Sequence, residues 1–275
     1  MKLSNTAAGV LIGVIAAWIG FGVVIWFFGE PWFAGLDEII TISFISLMII
    51  ASIAMAGIFL LLLGGTYKFS SSMGKVWLLL GIGVLLWCVG EIVYYYYDFQ
   101  LVLDENAPYP FPSEADYFYY AAYAPLAVGL IMQVRLLKVT LGALEKVVVA
   151  IVSVLVGLAI AIFVLWPTID FLFAEVPDII YVLAGVLYPL LDIFLLVCVF
   201  IVSAKLRHGK INAAWILVLT GLILTTVADS IYWLAYIFGI DTMFNFYDLV
   251  FLASYLLIAM GAVKGINVIS TSFSK

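Results

Sequence analysis

The sequence predicts an all-α integral membrane protein with eight transmembrane helices, arranged as two parallel four-helix repeats with both termini cytoplasmic. Three observations lead to this prediction: the apolar composition, the placement of basic residues and an internal similarity. Of the 275 residues, 67% are hydrophobic and 10% are charged, and the mean hydropathy is +1.27. Soluble domains are about half apolar and about a quarter charged, so almost nothing is left here for a soluble domain.

The predicted spans are apolar runs long enough to cross a bilayer, which takes about 20 residues. Charged or Gly/Pro-rich clusters separate them. The first run follows Lys2 and has no small-residue cleavage site before Trp26, so it is interpreted as a helix and not as a signal peptide. The predicted spans are 6–28, 39–64, 75–97, 113–136, 144–166, 179–204, 212–238 and 246–267.

The orientation follows from lysine and arginine, which accumulate on the cytoplasmic side of membrane proteins. All 11 fall on one side of the predicted spans: Lys2, Lys68, Lys75, Arg135, Lys138, Lys146, Lys205, Arg207, Lys210, Lys264 and Lys275. The opposite loops are acidic. The sequence therefore predicts a multi-pass protein of the cell membrane with both termini inside and an electronegative outer face.

An internal similarity divides the chain into repeats at 1–138 and 139–275, which together form one membrane domain. Shifting the sequence by 138 residues aligns the third span with the seventh, and a shift of 132 aligns the fourth with the eighth. Because each repeat has four spans, both insert the same way round, related by a pseudo-two-fold axis along the membrane normal. The aligned pairs include Trp77 and Trp215, Glu91 and Asp229, Tyr94 and Tyr232, Asp116 and Asp248, and Tyr123 and Tyr255.

Three carboxylates lie within apolar spans: Glu91, Asp192 and Asp229. A charged group inside a bilayer costs from about 2.5 kcal/mol upward. Such groups must be protonated, hydrogen-bonded by neutral donors or bound to a cation. Each has a tyrosine within one helical turn as a candidate donor, namely Tyr94 for Glu91, Tyr232 for Asp229 and Tyr188 for Asp192.

These acids have two main interpretations. They are hydrogen-bonded packing groups between helices, or they line a water-accessible pocket, open to the outer face, that binds a cation, a proton or a polar ligand. Asp116 and Asp248 have a local explanation as N3 residues behind the helix caps Ser113 and Asn245. They also suit the mouth of the pocket, with Tyr123 and Tyr255 each two helical turns further in.

Several functions are excluded by what the sequence lacks. Its single histidine, His208, lies in a basic loop, and no cluster of metal or haem ligands, phosphate loop or Ser-His pair is present. Nothing indicates a cofactor, and the acidic balance leaves no basic surface for nucleic acid. Intramembrane aspartyl proteolysis would need Asp192 and Asp229 to share a proton, but helical rise places them at different depths. The sequence therefore does not indicate an enzyme.

A resemblance adds a functional expectation. Gly90-Glu91, the tyrosines at 94–97, the segment 110–119 (PFPSEADYFY), Tyr123 and the stretch 188–192 resemble multi-pass membrane sensor modules of prokaryotic signalling proteins. Those modules often precede diguanylate cyclase or histidine kinase domains. Here the sequence ends at Lys275 directly after the eighth span, so the resemblance implies a sensor that passes its signal to a separate membrane or cytoplasmic partner.

The sequence thus predicts a membrane-embedded binding module with an acidic, tyrosine-rich pocket for a small ligand, cation or lipid. Two alternatives stay open. One is a cation- or proton-coupled transporter that uses Glu91, Asp192 and Asp229 along its path. The other is a structural subunit that packs against partner proteins in the bilayer.

Overall fold

The structure, a computed structural model, describes residues 38–108, 110–138, 140–175, 179–206, 212–239 and 246–272, and within these it is helical with no strand. A π-helical turn, Ala161–Leu165, joins the fourth helix to the fifth so that the two form one span. The helices are α1 (Glu38–Thr66), α2 (Ser72–Leu103), α3 (Glu114–Leu136), α4 (Ala143–Ile160), α5 (Trp166–Glu175), α6 (Ile179–Leu206), α7 (Asn212–Phe238) and α8 (Phe246–Ser272).

Seven helical segments of the described chain are long and apolar enough to cross a membrane. They correspond to the seven predicted spans from 39–64 onward, so the prediction of an all-α, multi-pass membrane protein is confirmed. The predicted first span, 6–28, lies outside the described residues. The eighth helix and the position of the termini therefore stay predictions.

Helices α2 and α3 are in close contact because glycine removes the side chain that would separate them. A Cβ atom on Gly83 would lie 2.5 Å from Cγ of Leu126 and 3.1 Å from the carbonyl oxygen of Ala122. Two turns further along α3, a Cβ atom on Gly129 would lie 3.2 Å from Cδ2 of Leu80. Small residues permit this approach between membrane helices, whose association depends on close packing.

Helices α7 and α8 make the corresponding contact in the second half of the chain. A Cβ atom on Gly221 would lie 2.5 Å from Cγ1 of Ile258 and 2.6 Å from the carbonyl oxygen of Ser254. A Cβ atom on Gly261 would lie 2.7 Å from the carbonyl oxygen of Ala214. The glycines and the residues they face are those that the shifts of 138 and 132 residues align with the α2–α3 contact.

The remaining helices complete one bundle around a shared core. Helix α1 packs against both α2 and α8, and α6 packs against α3, α7 and the α4–α5 span. The two largest fully buried side chains, Trp77 and Trp215, stack on each other with ring centroids 4.1 Å apart. The α4–α5 span lies at the periphery, where most of its apolar side chains are exposed, as expected for a helix that faces lipid.

Basic side chains lie at one end of the bundle. Lys75 is in the first turn of α2 and Arg135 in the last turn of its antiparallel neighbour α3. At the same end, the ammonium of Lys205 on α6 donates to the carbonyl oxygens of Val134 (3.0 Å) and Leu137 (3.3 Å). A cation there interacts favourably with the negative end of the α3 dipole.

We expect Gly221→Ala to lower the melting temperature of the purified protein. The new methyl group would meet the carbonyl oxygen of Ser254 at 2.6 Å, and a backbone atom cannot turn away as a side chain can. Overpacking of this kind costs about 1–3 kcal/mol.

Gly157→Ala provides the matched control because it lies within α4 and its Cβ atom would find only Cγ2 of Ile193, at 3.9 Å. There the loss of glycine's conformational freedom should stabilise the helix by about 0.5–1 kcal/mol. Equal melting temperatures for the two variants would show that the α7–α8 contact is looser than described.

Candidate acidic site

Three carboxylates from three different helices form the centre of the candidate site: Glu91 on α2, Asp192 on α6 and Asp229 on α7. The carboxyl group of Asp229 is close enough to interact electrostatically with both Asp192 and Glu91. Asp192 is buried, whereas Glu91 and Asp229 are partly exposed.

Asp192 receives its hydrogen bond from a neighbouring helix. The hydroxyl of Tyr123 on α3 donates to Oδ1 of Asp192 at 2.6 Å, and both residues are 4% exposed. The edge-on ring of Trp87, with its centroid 5.9 Å from that of Tyr123, helps to hold the tyrosine in place. A hydrogen bond to a buried acid in so apolar a setting links α3 firmly to α6.

Glu91 also has a tyrosine from α3 beside it. Tyr119 and Glu91 are near enough to interact electrostatically, and Gly90 makes room for the Tyr119 ring, since a Cβ atom there would lie 2.6 Å from Cε1 of Tyr119. Tyr255 on α8 is 2% exposed and is near enough to Glu91 and Asp229 to interact electrostatically with both. The acids are therefore bordered by tyrosines from α3 and α8.

The predicted cap at the start of α3 is confirmed. The backbone N–H of Ser113 donates to Oδ2 of Asp116 at 2.5 Å, and the Ser113 hydroxyl accepts from the backbone N–H of Ala115 at 3.2 Å. The other carboxylate oxygen of Asp116 accepts the hydroxyl of Tyr188. Sequence spacing assigned Tyr188 to Asp192 instead, and that assignment is wrong because a tyrosine hydroxyl has one proton to donate.

These contacts continue along the half of the α3–α6 interface that lies nearer the start of α3. Between the two tyrosine–aspartate bonds, the hydroxyl of Tyr120 donates to the carbonyl oxygen of Ala184 at 3.0 Å. The rings of Tyr120 and Tyr188 lie 4.5 Å apart. We call this set the polar seam; it consists of Asp116, Tyr120 and Tyr123 on α3 with Tyr188, Ala184 and Asp192 on α6.

Tyr94 and Tyr232 join α2 to α7. Their hydroxyl oxygens are 2.8 Å apart and their rings meet edge to face, with centroids separated by 6.4 Å. Sequence spacing placed each tyrosine beside the acid on its own helix, whereas the structure pairs them with each other. Asp248 lies in the first turn of α8 and interacts electrostatically with Glu91; its predicted cap, Asn245, lies outside the described residues.

Sequence reasoning missed Tyr119 and Tyr120. A signal was available, because positions 116, 119, 120 and 123 recur at helical spacing and so share one face of α3. Four tyrosines and one phenylalanine lie between positions 117 and 123, so aromatic residues occur on more than one face of the helix. The acids were recognised because carboxylates are rare in apolar spans, whereas tyrosines are common at membrane interfaces.

The site combines carboxylates with phenol hydroxyls and aromatic rings. In the described part of the chain, no three His, Cys, Asp or Glu side chains are placed to hold a metal ion. Oxygen acceptors beside aromatic faces are instead suited to a small organic cation or to a hydrogen-bonding ligand.

Comparison with known proteins adds no assignment, since no protein-family model, curated protein or solved structure matches the chain.

We expect Tyr123→Phe to destabilise the protein, because it removes the hydrogen bond to Asp192 and leaves the ring in place. A buried acceptor that loses its donor costs about 1–3 kcal/mol. Tyr117→Phe is the matched control on the same helix, since Tyr117 is 65% exposed. The test compares the melting temperatures of the two variants in the same detergent.

If Tyr123→Phe melts at the temperature of the Tyr117→Phe control, the Tyr123–Asp192 bond contributes nothing to stability. A double variant with Asp192→Asn separates this bond from general damage, because contacting residues show non-additive effects.

Proposed function

We propose that this membrane protein is a binding module whose acidic pocket, lined by Glu91, Asp192 and Asp229, binds a small organic cation or a polar, hydrogen-bonding ligand. The tyrosines at 119, 123 and 255 border the ligand in this proposal, and access is from the end of the bundle at which α3 and α8 begin. Binding would be communicated to a separate membrane or cytoplasmic partner, as the resemblance to sensor modules implies.

The main support for the proposal comes from the surroundings of the Asp229 carboxyl group. It lies near two other carboxylates, and among the described residues no hydrogen bond reaches its side chain. Asp192 has a tyrosine donor and Glu91 lies beside Tyr119, so Asp229 is the acid of the three for which a ligand would most clearly supply the missing partner. A bound cation would supply it, because carboxylates that share a site repel one another when ionised.

A cation- or proton-coupled transporter is the second candidate, and a specific contact favours it. Trp77 stacks on Trp215 and Tyr94 meets Tyr232, so two pairs of residues that the repeat alignment makes equivalent touch their own counterparts. Many transporters place their sites at such an interface between repeats. Ion flux into vesicles distinguishes this candidate from a binding module.

We infer from the same contacts that the chain arose by duplication of a four-helix unit. A residue touches its own equivalent only when both lie close to the symmetry axis. The matching glycine contacts of Gly83 with Leu126 and of Gly221 with Ile258 support the same inference. The axis would then pass between α2 and α7, beside the acidic site.

We propose further that the basic end of the bundle faces the cytoplasm of the cell membrane. Cys88 and Cys198 are buried, so a single added cysteine reports its own side. A membrane-impermeant maleimide should label Asn106→Cys, in the acidic α2–α3 loop, in intact cells. It should label Ser70→Cys, in the basic α1–α2 loop, only after permeabilisation. The reverse pattern would overturn the orientation.

The binding proposal predicts that a ligand will raise the melting temperature through these acids. Because a ligand that binds only the folded state stabilises it by about 2.7 kcal/mol at 100 times its Kd, the shift is measurable. The probes are metal cations, small ammonium ions and lipid additives, each tested over a concentration series. We expect one class of probe to stabilise the wild type, and its effect to disappear in Glu91→Gln and in Asp229→Asn.

Asp104→Asn is the control, since it makes the same change of charge at an exposed position in the α2–α3 loop. It should respond to the probe as the wild type does. Equal responses from all three variants would contradict the proposal, and the acids would then be packing groups between helices.

A further inference from the structure

A second group of buried polar atoms lies far from the acidic site, on the inner half of α2, α3 and α7. Trp77 is 1% exposed and Trp215 is fully buried, and their rings stack. Neither indole N–H has a hydrogen-bond partner. Both donors therefore lie within the same stacked pair, where the two halves of the chain meet.

A buried acceptor lies at the same level. Gln133 is 1% exposed, and its Oε1 has no hydrogen-bond partner either. Gly129 on α3 faces Leu80 on α2. Since the two helices are antiparallel, one further turn brings Gln133 to the level of Val76 and Trp77.

Two donors and one acceptor without partners are too many for the interior of a membrane bundle. Each buried polar group that lacks a hydrogen bond costs several kcal/mol in hydrocarbon. Native proteins satisfy such groups with neighbouring protein atoms or with buried water, which usually makes about three hydrogen bonds. A water molecule both accepts from an N–H and donates to a carbonyl oxygen, which is the combination that this cluster presents.

We propose that Trp77, Trp215 and Gln133 form a buried water site. The water accepts a hydrogen bond from an indole N–H and donates one to Oε1 of Gln133, so that it links α3 to the Trp77–Trp215 stack. This site is independent of the acidic site, since Glu91 lies 14 residues beyond Trp77 along α2, or about 21 Å.

The stability of three variants tests the proposal: Trp77→Phe, Gln133→Leu and the double variant. Trp77→Phe keeps an aromatic ring and removes the N–H, and Gln133→Leu removes the acceptor at similar volume. If water bridges the two residues, each single change lowers the melting temperature, and the double variant loses less than the sum of the two shifts. Trp166→Phe is the control for the change of ring, because Trp166 is 71% exposed.

The opposite result would show that the cluster holds no water. If the cluster is dry, Gln133→Leu removes an unsatisfied polar group and raises the melting temperature, and additive shifts in the double variant show that the two residues do not communicate. Either outcome overturns the proposal.

A measurement on the unmodified protein covers the case in which a variant fails to fold. A density map that resolves ordered water should show a peak about 2.7–3.2 Å from an indole Nε1 and from Oε1 of Gln133. A map of that quality without such a peak also overturns the proposal.

Discussion

Polar groups inside hydrocarbon must find partners within the protein, and this constraint organises the whole bundle. The backbone meets it by forming helices, but a carboxylate needs a donor from elsewhere. Asp192 obtains a donor from Tyr123, and Glu91 has Tyr119 beside it; the two tyrosines are both on α3. Helix α3 thus contacts an acid on each of its two neighbours, α2 and α6. These contacts between helices help to bring the carboxylates of Glu91, Asp192 and Asp229 near one another.

The two halves of the chain use different chemistry at corresponding interfaces. Helix α8 meets α1 through apolar contacts, where a Cβ atom on Gly265 would lie 2.9 Å from Cδ2 of Leu63. Helix α3 meets α6 through the polar seam instead. The seam therefore holds α3 to α6 by hydrogen bonds, where α8 and α1 rely on close apolar packing.

How much the sequence predicts depends on the kind of signal. Long apolar runs predict seven of the described spans, and the cap formed by Ser113 and Asp116 follows from local spacing alone. The hydrogen-bond partners of Tyr188 and Tyr94 cannot be predicted in this way, because spacing within one helix does not show which neighbouring helix lies opposite. Sequence spacing predicted an acid on the same helix as the partner of each tyrosine. In the structure, Tyr188 instead donates to Asp116, and Tyr94 is hydrogen-bonded to Tyr232.

The layer between the two polar regions bears on how the protein works. Leu80 and Val84 on α2, and Leu219 and Leu222 on α7, are at most 3% exposed and separate the tryptophan stack from the acids. An ion leaving the acidic site toward the basic end would have to cross this apolar layer without a partner. A transporter would therefore require a second arrangement of α2 and α7, whereas a binding module functions with the layer closed. The described arrangement is therefore the one that the proposed binding module requires, with the site reached from one end of the bundle.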